Sequence, residues 1–246
     1  MALQVWAAHH SDRGDRADNE DCAVVSDDAH LLAVADGMGG QRGGQVASRL
    51  STEAALSGLA QLLQCENDQR IFEQQQQIFQ DANSRLLDAA QRDLELLGMG
   101  TTLTLAFIRA QKLYLAHVGD SRLYLWRNRQ CQQLSRDHTR ARDLIESGAL
   151  SEQQVARSLQ RNVLTRYIGT VQRIEPEFGV HTIAPNDRLL LCSDGLYNCL
   201  SLEAITDALG TGTQPSAIAE NLVRQARAEG GQNLDNITAL VALLGA

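Results

Sequence analysis

The order of periodicities along this chain limits its architecture more than any other feature. Val46, Ala47, Leu50, Ala54 and the later leucines recur at helical spacing to about Leu63. A second helical stripe follows: Ile71, Phe72, Ile78, Phe79, Ala82, Leu86, Ala90, Leu94 and Leu97, stopped by Gly98. Short β-type runs bracket this helical block. Residues 22–26 and 31–35, joined by a turn at Asp27-Asp28, come before it. Thr102–Ile108, Lys112–Val118 and Arg122–Trp126 come after it, and read as a meander with tight connections at Ala110-Gln111 and Gly119-Asp120-Ser121. A strand at 189–193, helices near 202–209 and 215–228, and a last strand at 237–244 close the chain. The strands cluster and the long helices are consecutive. A doubly wound βαβ fold requires alternation, so this order favours sheets with helices packed outside them.

A chain of 246 residues can bury a sizeable core as one domain. Its net charge of -8 argues against nucleic acid or an anionic membrane as the main partner. No apolar run approaches the ~18 residues of a membrane helix, and Met1 to Asp15 lack the pattern of a signal peptide, so a cytoplasmic protein is expected. The five cysteines include no CxxC pair and are odd in number, which fits reduced thiols packed as small hydrophobes. The Gln74–Gln77 tract falls within the second helical stripe and reads as a solvated helix face.

Four aspartates stand at the ends of strand-like runs. Asp36 follows Leu31–Ala35, Asp120 follows Leu113–Gly119, Asp194 follows Leu189–Ser193, and Asp235 shortly precedes Ile237–Val241. Carboxylates gathered at one place repel unless cations neutralise them, and all-oxygen sites select hard ions such as Mg²⁺ or Mn²⁺. Taken singly, each has a plainer reading: a turn at Asp36-Gly37 or Asp235-Asn236, a hairpin loop residue at Asp120, a helix cap at Asp194. The glycine cluster Gly37 to Gly44 contains neither a GxGxxG nor a GxxxxGK[ST] pattern, which argues against a nucleotide loop. Arg16 and Glu20 lie just before the first strand pair, where a charged surface loop competes with a phosphate fork and a metal ligand.

Read together, these segments resemble a known family. Arg16 with Asn19-Glu20-Asp21, Asp36-Gly37-Met38-Gly39-Gly40, Gly100-Thr101-Thr102, Gly119-Asp120-Ser121-Arg122, Asp137-His138-Thr139, Ser193-Asp194-Gly195 and Asp235-Asn236-Ile237-Thr238 match, in order, the motifs of the metal-dependent protein phosphatases. This is the PPM family of type 2C serine/threonine phosphatases, and the likeness is to its compact bacterial members. The resemblance implies an α+β fold: two packed antiparallel β-sheets flanked by helices on both outer faces, an αββα sandwich. It implies a single domain over 1–246 with a flap at about 139–170.

The same resemblance implies roles. Asp36 bridges two tightly held Mn²⁺ or Mg²⁺ ions, and the Gly37 carbonyl binds one of them. Asp194 and Asp235 hold the first ion and Glu20 the second, Asp120 with Asp194 makes a weaker third site, and Asp21 and Asn236 stand behind the ligands. Arg16 grips the substrate phosphate, and with Asp36, Asp194 and Asp235 completes the catalytic set. Partners are phosphorylated Ser/Thr proteins and, as in bacterial relatives, a cognate kinase; a monomer is expected. Some relatives carry a histidine where this chain has Met38. A thioether donates no proton, which leaves the leaving-group acid to water at the metals or, less well placed, His138.

Two other classes compete with this reading: a phosphoprotein-binding domain without catalysis, and a hydrolase of small phosphates or nucleotides. Retention of Asp36, Asp194 and Asp235 argues against the first, and an aromatic content of only 4% against base stacking in the second. Between Arg136 and Arg173 seven arginines face four acidic residues, an excess that could steer phosphorylated segments, with Arg157 and Arg161 the residues to test.

Overall fold

Alternation within the strands decides the layering. In β3 (Leu31–Met38), Leu31, Ala33 and Ala35 join one buried cluster, while Leu32 and Val34 join another. The first cluster seats helices and the second a facing sheet, so β3 is buried on both sides and reads as a continuous apolar run. The computed structural model describes residues 3–39, 42–155 and 162–245. Arg157 and Arg161 lie outside the described residues.

The remaining strands are β1 (Gln4–Asp12), β2 (Asp21–Val25), β4 (Gly100–Thr101), β5 (Leu103–Arg109), β6 (Lys112–Val118), β7 (Arg122–Arg127), β8 (Gln130–Gln133), β9 (Glu177–Thr182), β10 (Arg188–Cys192) and β11 (Ile237–Gly245). One sheet runs β1-β11-β10-β7-β8; the other runs β2-β3-β5-β6-β9, with β4 pairing the end of β3. All of these pairings are antiparallel. Leu32, Val34, Leu113 and Leu115 of one sheet meet Leu123, Leu189, Leu191 and Leu240 of the other in the central layer.

Helices α1 (Gly43–Ser57), α2 (Leu59–Gln64) and α3 (Asp68–Arg92) lie against the β3 sheet, where Ala54, Ile78, Phe79 and Leu86 meet Leu103, Leu105 and Phe107. Helices α7 (Leu202–Gly210) and α8 (Pro215–Glu229) cover the other sheet through Ile205, Leu209, Ile218 and Leu222. Short helices α4 (Arg140–Glu146), α5 (Glu152–Val155) and α6 (Asp194–Tyr197) complete the chain. The result is the αββα sandwich expected. No helix among the described residues is long and apolar enough to cross a membrane.

Several details depart from the sequence reading. The first helix breaks at Gly58 instead of running to Leu63. The second ends at Arg92, and Leu94 and Leu97 are exposed beyond it, so they extend the apolar period without extending the buried face. The glutamine tract is not simply a solvated face. Gln75 is fully buried and donates to the Tyr114 carbonyl at 3.1 Å, while Gln76 and Gln80 each donate to the Ile174 carbonyl at 2.8 Å. Strands β1, β8 and β9 carry too little uniform apolar character to be read in advance. The supposed meander is also divided, because β6 and β7 belong to different sheets. Gly119–Ser121 is therefore a crossing between layers, not a hairpin turn.

Candidate active site

The strand register brings the acidic residues to one end of the sandwich. Asp21 and Asp36 are direct partners across β2 and β3. Like charges in that relation destabilise a sheet unless something offsets them. Asp194 opens α6 where β10 ends, its preceding residue Ser193 acting as the helix cap position. Asp120 sits on the crossing from β6 to β7, and Asp235 stands two residues before β11. A cleft of about 630 Å³ is lined by Arg16, Glu20, Asp36, Gly37, Met38, Asp120, Asp194 and Asp235, among others. The fold therefore gathers every expected ligand position, together with Arg16, around one cavity. Asp36 lies within β3, which continues through Gly37 to Met38, so it is not at a strand end as expected.

Supporting hydrogen bonds explain why the loops meet there. Asn236 accepts from the Glu20 amide at 2.8 Å and donates to the carbonyls of Arg13 at 2.9 Å and Asp18 at 3.0 Å. One side chain thereby fastens the Arg16–Glu20 loop to the entrance of β11. Asp21 is half-buried; its Oδ2 accepts from Ser193 Oγ at 2.6 Å, while its buried Oδ1 has no partner. Gly44 supplies the close approach at Glu20: a Cβ there would lie 2.6 Å from Glu20 Cδ. Arg16 reaches back to Asp235, Nη2 to Oδ2, at 2.7 Å.

Electrostatics in the cleft are unfavourable as the chain stands. Burial, then the charges of Asp21, Asp194, Asp120 and Asp235, push the Asp36 carboxyl well above the usual range. Burial, then the charge of Asp194, raises Asp120 to about 7. Burial and Asp235 raise Asp194 to about 6, although hydrogen bonds to Asn198 and Asp36 oppose the shift. Burial raises Asp21 to about 7 against its Ser193 bond, and raises Glu20 against Arg16. Carboxylates this close and this poorly solvated do not all ionise without a neutralising charge.

Such a donor set fits hard divalent cations. It is all oxygen, it carries an orphaned buried carboxylate oxygen on Asp21, and Arg16 is its only lining cation among the described residues. Among the described residues, no three acidic, histidine or cysteine side chains already stand at coordinating distance of one point. Two of the carboxylates are engaged elsewhere. Asp235 is drawn to Arg16, and Asp194 Oδ2 accepts from Asn198 at 3.1 Å.

Sequence reasoning missed several residues that shape the site. The Tyr197 hydroxyl donates to the Asp120 carbonyl at 3.0 Å, and its ring carries the Arg122 guanidinium 3.5 Å above its centre. Arg122 also grips Asp137 with Nε and Nη2, at 3.0 and 2.6 Å. The signal available was spacing: Tyr197 and Asn198 fall three and four residues after Asp194, one turn along a helix. His138 is wholly buried and absent from the cleft lining, which removes it as a proton donor to substrate.

An αββα sandwich with an acidic all-oxygen cleft at one end of its sheets defines a metal-dependent phosphatase architecture. Comparison with known proteins is specific. Residues 2–234 match the family model Protein phosphatase 2C. The serine/threonine phosphatase stp of Listeria welshimeri is 33% identical over 239 residues, covering 96% of this chain and 94% of the relative. Protein phosphatase PhpP of Streptococcus pneumoniae is 37% identical over 216 residues, covering 87% and 85%. The crystal structure of the Mycobacterium tuberculosis serine/threonine phosphatase PstP/Ppp superposes with a TM-score of 0.88 at 34% identity, covering 98% of this chain and 99% of that one. A PstP catalytic domain solved in complex with two manganese ions superposes with a TM-score of 0.85 at 33% identity, covering 99% and 100%. This chain belongs to the protein phosphatase 2C family.

Proposed function

We propose that the chain hydrolyses phosphoserine and phosphothreonine in proteins at a pair of divalent cations, Mn²⁺ or Mg²⁺, with a weaker third. The observation that carries this reading is the convergence of buried Asp120 with half-buried Asp36 and Asp194 on one cleft whose only lining guanidinium, among the described residues, is that of Arg16. Carboxylates enclosed in this way ionise together only when cations enter among them. Asp36, Asp194 and Asp235 would hold one ion, Asp36 and Glu20 the second, with the Gly37 carbonyl on one of these two, and Asp120 with Asp194 the third. When bound, the ions supply a water ionised near neutral pH and positive charge for the phosphoryl oxygens. The two manganese ions of the PstP complex support this choice of metal.

The chain's own groups do the remaining work. Asp21 holds water behind the ligands through its free Oδ1, while Ser193 fixes its Oδ2. Arg16 is half exposed, and exchanges Asp235 for the incoming phosphate with its planar fork. Met38 lines the cleft and offers no proton, so water protonates the leaving oxygen. Residues 139–155 and 162–170 belong to a flap within a single domain, a reading supported by Asn162, Leu164 and Tyr167 lining the cleft and by bridges from Thr139 to Leu164 and from Thr101 to Ile168. The protein acts as a cytoplasmic monomer opposing a Ser/Thr kinase, and the arginines of the flap steer phosphorylated segments inward. Release of phosphate from a phosphothreonine peptide, measured with EDTA and after Mn²⁺ add-back, tests the reading. Activity that survives EDTA, or nucleotide turnover exceeding peptide turnover, would count against it.

A further inference from the structure

The crossing from β6 to β7 is held by two stacked, buried histidines. Gly119 has φ +106°, and a Cβ there would lie 2.5 Å from Thr102 Cγ2, so only glycine fits. Its amide donates to His138 Nδ1 at 3.2 Å. Its carbonyl accepts from the His138 amide at 2.7 Å and from His117 Nε2 at 2.9 Å. The two rings stack with centroids 4.9 Å apart and planes 23° from parallel, and neither has solvent access. Both backbone groups of Gly119 are thus occupied by this pair, directly before Asp120.

The same polar chain runs on to Asp36. Because His117 Nε2 donates to Gly119, its Nδ1 accepts from the Thr104 hydroxyl at 2.9 Å, and the Ser121 carbonyl, 3.0 Å from the same Oγ1, shares that one proton. Ser121 Oγ meets Thr102 Oγ1 at 2.7 Å, and Thr102 Oγ1 accepts from the Asp36 amide at 2.9 Å. The Thr102 amide in turn donates to the Asp36 carbonyl at 2.9 Å. Asp120 and Asp36 are therefore tied into one buried network, although they enter the cleft from different segments. A carboxylate that is desolvated and repelled by its neighbours holds its place only if its backbone is fixed.

We propose that His117 and His138 clamp Gly119 and thereby position the Asp120 carboxylate, so that both histidines are positioning residues for the weakest cation site. The inference rests on the reading of Asp120 as a ligand there. A plain packing role for the rings would require only their shape. The clamp requires an acceptor at His138 Nδ1 and a donor at His117 Nε2.

Direct Mn²⁺ binding, read from the free-ion paramagnetic resonance signal, distinguishes these roles without reference to turnover. His138→Leu is expected to weaken the weakest class of Mn²⁺ binding at least tenfold while the tighter classes stay within threefold. His138→Asn, which keeps an acceptor near the Nδ1 position, is expected to restore it. Thr104→Val, a near-isosteric change that removes the hydroxyl beside His117, is expected to weaken the same class and covers the case in which His138→Leu does not fold. Asp120→Asn serves as the reference and should abolish that class. If Asp120→Asn leaves every class intact, the ligand reading fails and the clamp with it. If Asp120→Asn acts but Thr104→Val and His138→Leu leave the weakest class unchanged, or Asn restores no more than Leu, the clamp alone is overturned.

Discussion

Replacing Asp120 by asparagine is expected to stabilise the metal-free protein while removing a cation ligand. Asp120 is 8% exposed, and burial with the charge of Asp194 raises its carboxyl from 3.8 to about 7. Each pKa unit corresponds to about 1.4 kcal/mol, so the ionised group costs the fold roughly 4 kcal/mol at pH 8. The sign follows from proton binding. Because the folded pKa lies above the unfolded one, the native state holds the proton more tightly. Stability is then lost as pH rises from about 4 to 7 and levels off above that. Asparagine carries no such penalty, but its amide cannot reproduce every contact, so a net gain of about 2–4 kcal/mol is expected. At about 2–4 °C per kcal/mol for a chain of this size, Tm should rise by roughly 4–16 °C in EDTA at pH 8. At pH 5 the difference should fall to less than half, because wild-type Asp120 is already protonated. Saturating Mn²⁺ should narrow or reverse it, since ions bound only by the native wild-type site add stability. Urea unfolding followed by circular dichroism at both pH values measures this. Equal stabilities at pH 8 in EDTA, or a difference that does not change with pH, would refute the reasoning.

Further outcomes follow from the same geometry. Arg16→Ala should raise KM for a phosphopeptide more than it lowers kcat; steady-state kinetics in Mn²⁺ with an unchanged KM would remove Arg16 from substrate binding. Gly44→Ala places a methyl group against the Glu20 carboxylate and should weaken Mn²⁺ binding at least tenfold with little loss of secondary structure, as read by calorimetric titration and circular dichroism. Burial lowers His117 to about 4, and burial with the charge of His117 lowers His138 to about 3; Arg166 and Arg136 also oppose a charge on His138. For a histidine lowered in the fold, the unfolded chain takes up protons first, so stability is complete above about 6.5 and is lost on acidification. Between pH 7.5 and 5, His138→Asn should therefore lose about 2 kcal/mol less than wild type in matched urea titrations; parallel losses would contradict the assigned burial cost.

The layered class of the fold was open to reading because it depends on local periodicity. Leu31–Ala35 and the stripe from Ile71 to Leu86 are apolar for the reason they are buried, and their order along the chain excludes alternation. Elements with mixed character were not legible. β1 holds Trp6, His9 and His10, and β9 has Gly179 and His181 among half-buried positions. Such strands are fixed by a neighbour's unpaired backbone, not by their own composition. Exposed Leu94 and Leu97 show the converse error, where period persists after the surface it would cover has ended.

The site divides in the same way. The sequence by itself determined which groups take part: acidic oxygens, small neighbours and one arginine, because ligand chemistry belongs to residue type. It also determined the periodic faces that bury the three layers. Only the tertiary structure decided that Asp120 lies on a crossing between sheets, that Asp21 opposes Asp36 across a strand pair, and that two histidines grip Gly119. Those relations join residues far apart in the chain. They arise when two sheets stack and their register is set, and nothing local to any one segment specifies them.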